Sequence, residues 1–182
     1  DGDPYGSSGN VGLGPVTIGG GQSGAGNIIS ANAGDGIFIR SAPGTVIQGN
    51  HIGTDLTGAR NLGNGHDGIQ LRSGPALCAD NVVANNGNAG VDVQTTYLAA
   101  DTTGVAISGN SIFSNAYVGI TMRAALNDSG DGDTGPNNKQ NFPVLTAADS
   151  AGGKTAITGS LNSTAGTTFT VEFFASPTCD AG

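Results

Sequence analysis

Asn81-Val82-Val83-Ala84-Asn85-Asn86, followed four residues after Asn86 by Gly90-Val91-Asp92-Val93-Gln94, is the stretch on which the fold turns. Both halves recur. The first half aligns with Asn27-Ile28-Ile29-Ser30-Ala31-Asn32, Asn50-His51-Ile52-Gly53-Thr54-Asp55 and Asn110-Ser111-Ile112-Phe113-Ser114-Asn115. The second aligns with Gly36-Ile37-Phe38-Ile39-Arg40, Gly68-Ile69-Gln70-Leu71-Arg72 and Gly119-Ile120-Thr121-Met122-Arg123. The leading Asn and the Gly stand nine positions apart in three units (27 to 36, 81 to 90, 110 to 119) and eighteen apart after Asn50. That unit therefore carries an insertion around Thr54 to Asn64, and a shorter one around Thr95 to Gly104 lengthens the next. The underlying period of about 22–23 residues is that of stacked supersecondary units.

Within each Gly block apolar and polar residues alternate. Ile37 and Ile39, Ile69 and Leu71, Val91 and Val93, and Ile120 and Met122 should therefore point to one side as core. A second apolar column, Ile47, Cys78 and Ile107, lies three residues before an Asn, and a third runs through Ile29, Ile52, Val83 and Ile112. Three short strands per unit, separated by Gly and Asn corners that tolerate left-handed backbone, are what a parallel solenoid requires. Asn at the same corner of every coil can bond the coil above and the coil below. Two ladders are expected: Asn27, Asn50, Asn81 and Asn110, and Asn32, Asp55, Asn86 and Asn115. The Leu framework of leucine-rich repeats is missing, and no segment sustains the 3.6-residue period of helical solenoids.

Composition narrows the partners. Among 182 residues there are 33 Gly, no Trp and 11% charged residues, a profile of disorder were the apolar residues not in register. A net charge of −8 with six Lys and Arg gives no basic footprint for nucleic acid. No apolar run is long enough to span a bilayer, and the start lacks the pattern of a signal peptide, so the chain reads as a mature or excised fragment. High Gly, Asn, Ser and Thr with little Lys fit a secreted or cell-surface location.

The blocks Gly49-Asn50-His51-Ile52-Gly53-Thr54-Asp55-Leu56-Thr57-Gly58, Leu62-Gly63-Asn64 and Gly68-Ile69-Gln70-Leu71 resemble the right-handed parallel β-helix repeats of large secreted or surface-attached bacterial proteins. The run Asn127-Asp128-Ser129-Gly130-Asp131-Gly132-Asp133-Thr134-Gly135-Pro136-Asn137-Asn138, with Asn141-Phe142-Pro143-Val144-Leu145 after it, resembles the segment that leaves the helix in those proteins. The expected architecture is all-β: a right-handed parallel β-helix of about four to five coils over residues 1–126, an acidic linker at 127–142, and C-terminal strands at 143–182. In the last part Thr155 to Leu161 and Thr167 to Phe174 alternate like antiparallel strands joined by a polar turn around Ser163 to Gly166. They either cap the last coil or begin a truncated β-sandwich, which the resemblance favours. Cys78 reads as a small buried hydrophobe rather than a disulfide partner for Cys179.

Chemistry is expected on the outward side of the Gly-block strands. One outward column holds Phe38, Gln70, Asp92 and Thr121, and the next holds Arg40, Arg72, Gln94 and Arg123. Stacking spaces column neighbours about 4.8 Å apart. Phe38, Arg40, Gln70, Arg72, Asp92, Gln94 and Arg123 make a candidate ligand strip for a polysaccharide, with Asp92 as base or metal ligand. The arrangement is similar to the exterior sheet on which β-helix lyases and hydrolases carry their sites. The plainer reading is solvated pairing of Arg72 and Arg123 with Asp92 and Asp67. Glycosidic hydrolysis normally uses two carboxylates, and Asp92 is the only acid in the two columns; Asp35 and Asp67, nearby, are ordinary turn formers. His51 and His66 share a site only if the insertion folds back.

Asp128, Asp131 and Asp133 alternate with Gly as oxygen ligands for Ca²⁺ would, without the bidentate Glu of an EF-hand. No cofactor is otherwise required. Three functions compete: an extracellular structural or adhesive module contacting neighbouring surface proteins; a carbohydrate-active module, either lyase, hydrolase or glycan binder; and a self-assembling filament subunit joined through coil ends or tail strands.

Overall fold

The computed structural model describes residues 14–95, 102–122 and 127–175. Four coils each contribute three strands. The first has β1 (Thr17–Gly19), β2 (Ile28–Ile29) and β3 (Ile37–Ile39); the second has β4 (Thr45–Gln48), β5 (His51–Ile52) and β6 (Ile69–Leu71). The third has β7 (Ala76–Ala79), β8 (Val82–Ala84) and β9 (Val91–Val93); the fourth has β10 (Val105–Ser108), β11 (Ser111–Phe113) and β12 (Ile120–Thr121). They stack into three parallel sheets, ordered β1-β4-β7-β10, β2-β5-β8-β11 and β3-β6-β9-β12. The stack makes about three turns from first rung to last, slightly fewer than the coil count expected.

The registers place the three apolar columns directly over one another. Ile18, Ile47, Cys78 and Ile107 align in the first sheet. Ile29, Ile52, Val83 and Ile112 align in the second, and Ile37, Ile69, Val91 and Ile120 in the third. Ile47, Ile52, Ile69, Leu71, Val83, Val91 and Val93 are fully buried, each worth about 1.5–3 kcal/mol of transfer free energy. Cys78 shares that interior as a free thiol whose pKa burial pushes up to about 12.

The glycines opening the first three third-sheet blocks, Gly36, Gly68 and Gly90, are there for closeness, not for left-handed backbone. A Cβ on Gly36 would sit 2.7 Å from the Gly68 carbonyl oxygen, and one on Gly68 would sit 2.7 Å from that of Gly90. Side-chain amides from the Asn ladder crowd the same space, with Asn64 Nδ2 2.8 Å from the first of these positions and Asn86 Nδ2 2.7 Å from the second. Positive φ is found elsewhere, at corners such as Gly49 and Gly53.

Both Asn ladders form. In each rung the Asn of one coil donates its backbone N–H and its Nδ2 to Oδ1 of the Asn in the next. The distances are 2.9–3.1 Å from Asn27 to Asn50 to Asn81 to Asn110. A further Nδ2 bond returns to the previous coil, to the carbonyls of Ile18, Ile47 and Cys78. The second ladder runs Asn32, Asn64, Asn86 and Asn115 at 2.8–3.2 Å. Asn64 thus takes the place expected for Asp55. The reason is that an isolated antiparallel bridge, Thr54 to Asn61, pinches the insertion off as an external loop. Asp55 heads that loop, accepting from the Thr57 hydroxyl and from the amides of Thr57, Ala59 and Arg60.

The C-terminal part also differs from expectation. The hairpin pairs β13 (Val144–Ala151) with β14 (Lys154–Ser160), whereas Thr167 to Phe174 joins no strand. Gly152 and Gly153, at φ 59° and 74°, supply the two positive-φ residues of a tight hairpin turn, which fixes the pairing before a longer polar loop can compete. Both faces of the hairpin are exposed. The acidic segment before it is tied on both sides. Asn137 bonds the backbone of Val105 in both directions at 3.0 Å, and Asn141 bonds Asp128 and Asn162.

Two measurements check this organisation. Asn64→Ala strips a buried ladder rung of its acceptor and donors and should cost about 2–3 kcal/mol in urea denaturation, while Asp55→Ala should leave the transition little changed. In a Cys179→Ser background Cys78 should react with a thiol reagent only at the rate of global unfolding; rapid labelling of the native protein would contradict a dry interior.

Candidate functional site

The outward column of the third sheet is in register as the alternation requires. Phe38 pairs with Gln70, Gln70 with Asp92, and Asp92 with Thr121. Its environment is not the expected one. Asp92 is 0% exposed, and Gln70 and Gln94 are buried as well. A strand side chain pointing away from the core reaches water only if its neighbours leave it room, and here the long amide of Gln94 lies against the carboxylate. Gln94 Nε2 donates to Asp92 Oδ2 from two residues along the same face, so the proposed base is enclosed rather than presented. Arg40, Asp92 and Thr121 each make additional interactions. Arg123 lies outside the described residues, as does Cys179.

What the strip does present is an aromatic platform. Phe38 is 48% exposed, and the half-buried Arg72 guanidinium lies over its ring, 5.5 Å from the centroid. Arg72 therefore partners an aromatic face in the coil below. Asp67 is not waiting for it. One Asp67 oxygen accepts from the Ala89 amide at 3.0 Å and from Asn88 Nδ2 at 2.8 Å, and the other accepts from Gln70 Nε2 at 3.1 Å. Asp35 does the same one coil earlier, accepting the Asp67 amide at 3.0 Å. The two corner acids thus act as amide acceptors between coils. Burial, chiefly, with the negative charge of Asp67 adding to it, holds the Asp35 carboxyl above the ordinary carboxylate value, against the amide bond from Asp67 that pulls the other way.

The remaining candidates stand apart. His51 is half-buried on β5 beside a groove of about 420 Å³, lined also by Gly20, Gly26, Leu56 and Asp80. His66 is exposed at the other side of the second sheet, just ahead of β6, so the two histidines occupy different corners. In the acidic segment Asp131 accepts the Asn141 amide at 2.8 Å through one oxygen and the Ser163 hydroxyl at 2.6 Å through the other. Asp128 accepts the Gly132 amide at 3.1 Å. Among the described residues no three His, Cys, Asp or Glu side chains are placed to hold a metal ion, so Asp128, Asp131 and Asp133 are not gathered on one centre.

Sequence reasoning missed the amide-accepting role of the corner acids, although their position just before the block glycines was visible. It also missed Glu172, whose Oε2 accepts the Gly109 amide at 2.9 Å. Nothing local marks that residue, because its partner is 63 positions away. A cleft of about 340 Å³ lies beneath it, lined by Ile107, Ile112, Phe113, Ile120 and Phe174.

A family model described as "Right handed beta helix region" matches residues 15–128. No curated protein and no solved structure matches the chain.

A pH measurement tests the corner acids. Because the Asp35 pKa is raised on folding, its contribution to stability is present in full below the ordinary value of 3.8 and is lost as the pH rises through the raised one. Asp35→Asn keeps the acceptor for the Asp67 amide and removes the charge. The variant should melt above the wild type at neutral pH, and the difference should close as the pH falls below 3.8; a constant difference would show that ionisation of Asp35 is not its source.

Proposed function

Since the chain belongs to the right-handed β-helix family, we propose that it works as an extracellular structural or adhesive β-solenoid module. The observation that carries this reading is where the polar groups of the third sheet and its corners are directed. Asp92 is covered by Gln94, Asp67 is bonded to three donors, and Asp35 accepts the amide of the next coil. Asp35 and Asp67 bind coil to coil, as a spacer needs, and Asp92 is enclosed by its own strand, so these groups do not converge on a shared opening. No described helix is long and apolar enough to cross a membrane.

Glycan binding is the second reading, favoured by the half-exposed Phe38 with a cation over its ring. An aromatic face accepts the C–H face of a sugar, and Arg40 and Arg72 beside it suit an acidic one. In this reading binding is the adhesive act and no bond is cut.

Incubation with oligouronates separates the readings. The proposed function expects no rise in ultraviolet absorbance from an unsaturated product; such a rise, lost in Asp92→Asn, would replace it with a lyase. Retention on an immobilised acidic polysaccharide, reduced about fivefold in Phe38→Ala, would establish the glycan-binding form, and equal retention of wild type and variant would remove Phe38 from it.

A further inference from the structure

We propose that Asn64 and Asn86 are deamidation sites that the folded stack keeps shut and that opening of the stack exposes, so that a coil once opened is chemically marked and barred from returning to its place.

The sequence contains two Asn-Gly pairs, Asn64-Gly65 and Asn86-Gly87, and both are rungs of the second ladder. Sterics put the glycines there. A Cβ on Gly65 would sit 2.2 Å from the Ala33 carbonyl oxygen, and one on Gly87 would sit 2.3 Å from that of Gly65. The corners of these interior coils thus lie against the preceding coil too closely for a side chain. The ladder in turn fixes Asn at the position before, where its acceptor and its donor are both used. Asn-Gly is also the pair that loses its side-chain amide most readily, because no Cβ hinders attack by the following backbone nitrogen. In the first and last coils the second-ladder Asn is followed by Ala33 or Ala116, and in the first ladder by Ile28, His51, Val82 or Ser111, all of which hinder it.

The reaction needs water alone. The Gly65 nitrogen gives up its proton to water or hydroxide and attacks Cγ of Asn64. The new C–N bond closes a succinimide ring, the Cγ–Nδ2 bond breaks, and Nδ2 leaves as ammonia. Water then adds to either ring carbonyl. Opening at Cγ leaves aspartate, opening at the backbone carbonyl leaves isoaspartate with the chain running through Cβ, and nothing is oxidised or reduced. Gly87 and Asn86 react in the same way.

Folding holds both partners of this step. Gly65 donates its N–H to the Asn32 carbonyl at 2.8 Å, and Gly87 donates to the Asn64 carbonyl at 2.8 Å. Asn64 Nδ2 donates to Asn86 Oδ1 at 2.8 Å and to the Ile29 carbonyl at 3.1 Å, and Asn86 Nδ2 donates to Asn115 Oδ1 at 2.9 Å. Gly65 and Gly87 are exposed, so water is present at the corner. What is prevented is rotation of the buried Asn side chain onto its own backbone. The product, moreover, does not fit. An aspartate in place of Asn64 would turn a charged oxygen toward Asn86 Oδ1 and the Ile29 carbonyl, two acceptors left without a donor. Isoaspartate would lengthen the backbone where there is no room for a Cβ.

The test holds the full chain at one mildly alkaline pH, a little below its thermal transition, either native or unfolded in guanidinium chloride. The masses of the peptides carrying Asn32, Asn64, Asn86 and Asn115 are followed in time. Replacing an amide by a carboxyl raises the mass, whereas Asp35-Gly36 and Asp67-Gly68 close and reopen the same ring without a change, so the signal belongs to Asn. In denaturant Asn64 and Asn86 should convert well ahead of Asn32 and Asn115. In the native chain they should convert at least about a hundredfold more slowly, because reaction then waits on the open fraction. Ile52→Val, which loosens the core and keeps the fold, should speed native conversion about two- to tenfold and leave the rate in denaturant unchanged. After dilution from denaturant, unconverted chains should regain their β circular dichroism and unfolding midpoint, and converted chains should not; Asn64→Asp, made directly, should share that loss. Native conversion within about twofold of the denatured rate overturns the gating, as does a native rate that Ile52→Val leaves unmoved. Equal conversion of all four Asn in denaturant overturns the assignment to the Asn-Gly pairs. Converted chains or Asn64→Asp that refold to the wild-type midpoint overturn the irreversibility.

Discussion

A solenoid of this kind rests on one demand: each corner of each coil buries backbone amides that no strand can satisfy. Leaving one such donor unmet costs about 1–3 kcal/mol, and the corners repeat in every coil. Asn meets the demand because it carries donor and acceptor on one short side chain. Its Oδ1 takes two bonds from the coil before, and its Nδ2 bonds both the neighbouring Asn and the carbonyl of an adjacent strand. Strands of two to four residues would be too short to pair stably by themselves. The ladders hold corners in phase, and the apolar columns then stack without any strand having to be long.

The corner acids extend the same logic with a different balance. Asp35 and Asp67 accept amides as Asn does but bring charge into a half-buried and a buried position, respectively. Asp67 offsets this with three donors. Asp35 accepts the Asp67 amide, and burial, as the largest influence, still holds its carboxyl above the ordinary value. The external loop shows the opposite regime: four bonds from Thr57, Ala59 and Arg60 to the exposed Asp55 hold its carboxyl below the usual range, with the Thr57 hydroxyl the largest influence.

How much of this could be read from the chain follows from the range of each interaction. The apolar columns and the first ladder were legible because they depend on spacing within one unit. Asn64 was legible in principle, since it lies four residues before Gly68 as Asn32, Asn86 and Asn115 lie before theirs; counting forward from Asn50 led to Asp55 instead. The hairpin carried its own signal in Gly152-Gly153, which the longer alternating run at Thr167 to Phe174 obscured. Enclosure of Asp92 was beyond reach, because alternation reports which way a side chain leaves the backbone and says nothing of what closes over it. Glu172 was equally beyond reach, since its partner is set by the path of the tail.

The pinched loop between Thr54 and Asn61 also bears on how such chains vary. Because one bridge seals it off, the nine extra residues of that unit leave every rung on either side in phase. The stack registers the order of its corners and is indifferent to the length of chain between two of them. A corner sealed in this way is a port where natural variation, or a grafted epitope, can be carried outward without disturbing the cylinder behind it.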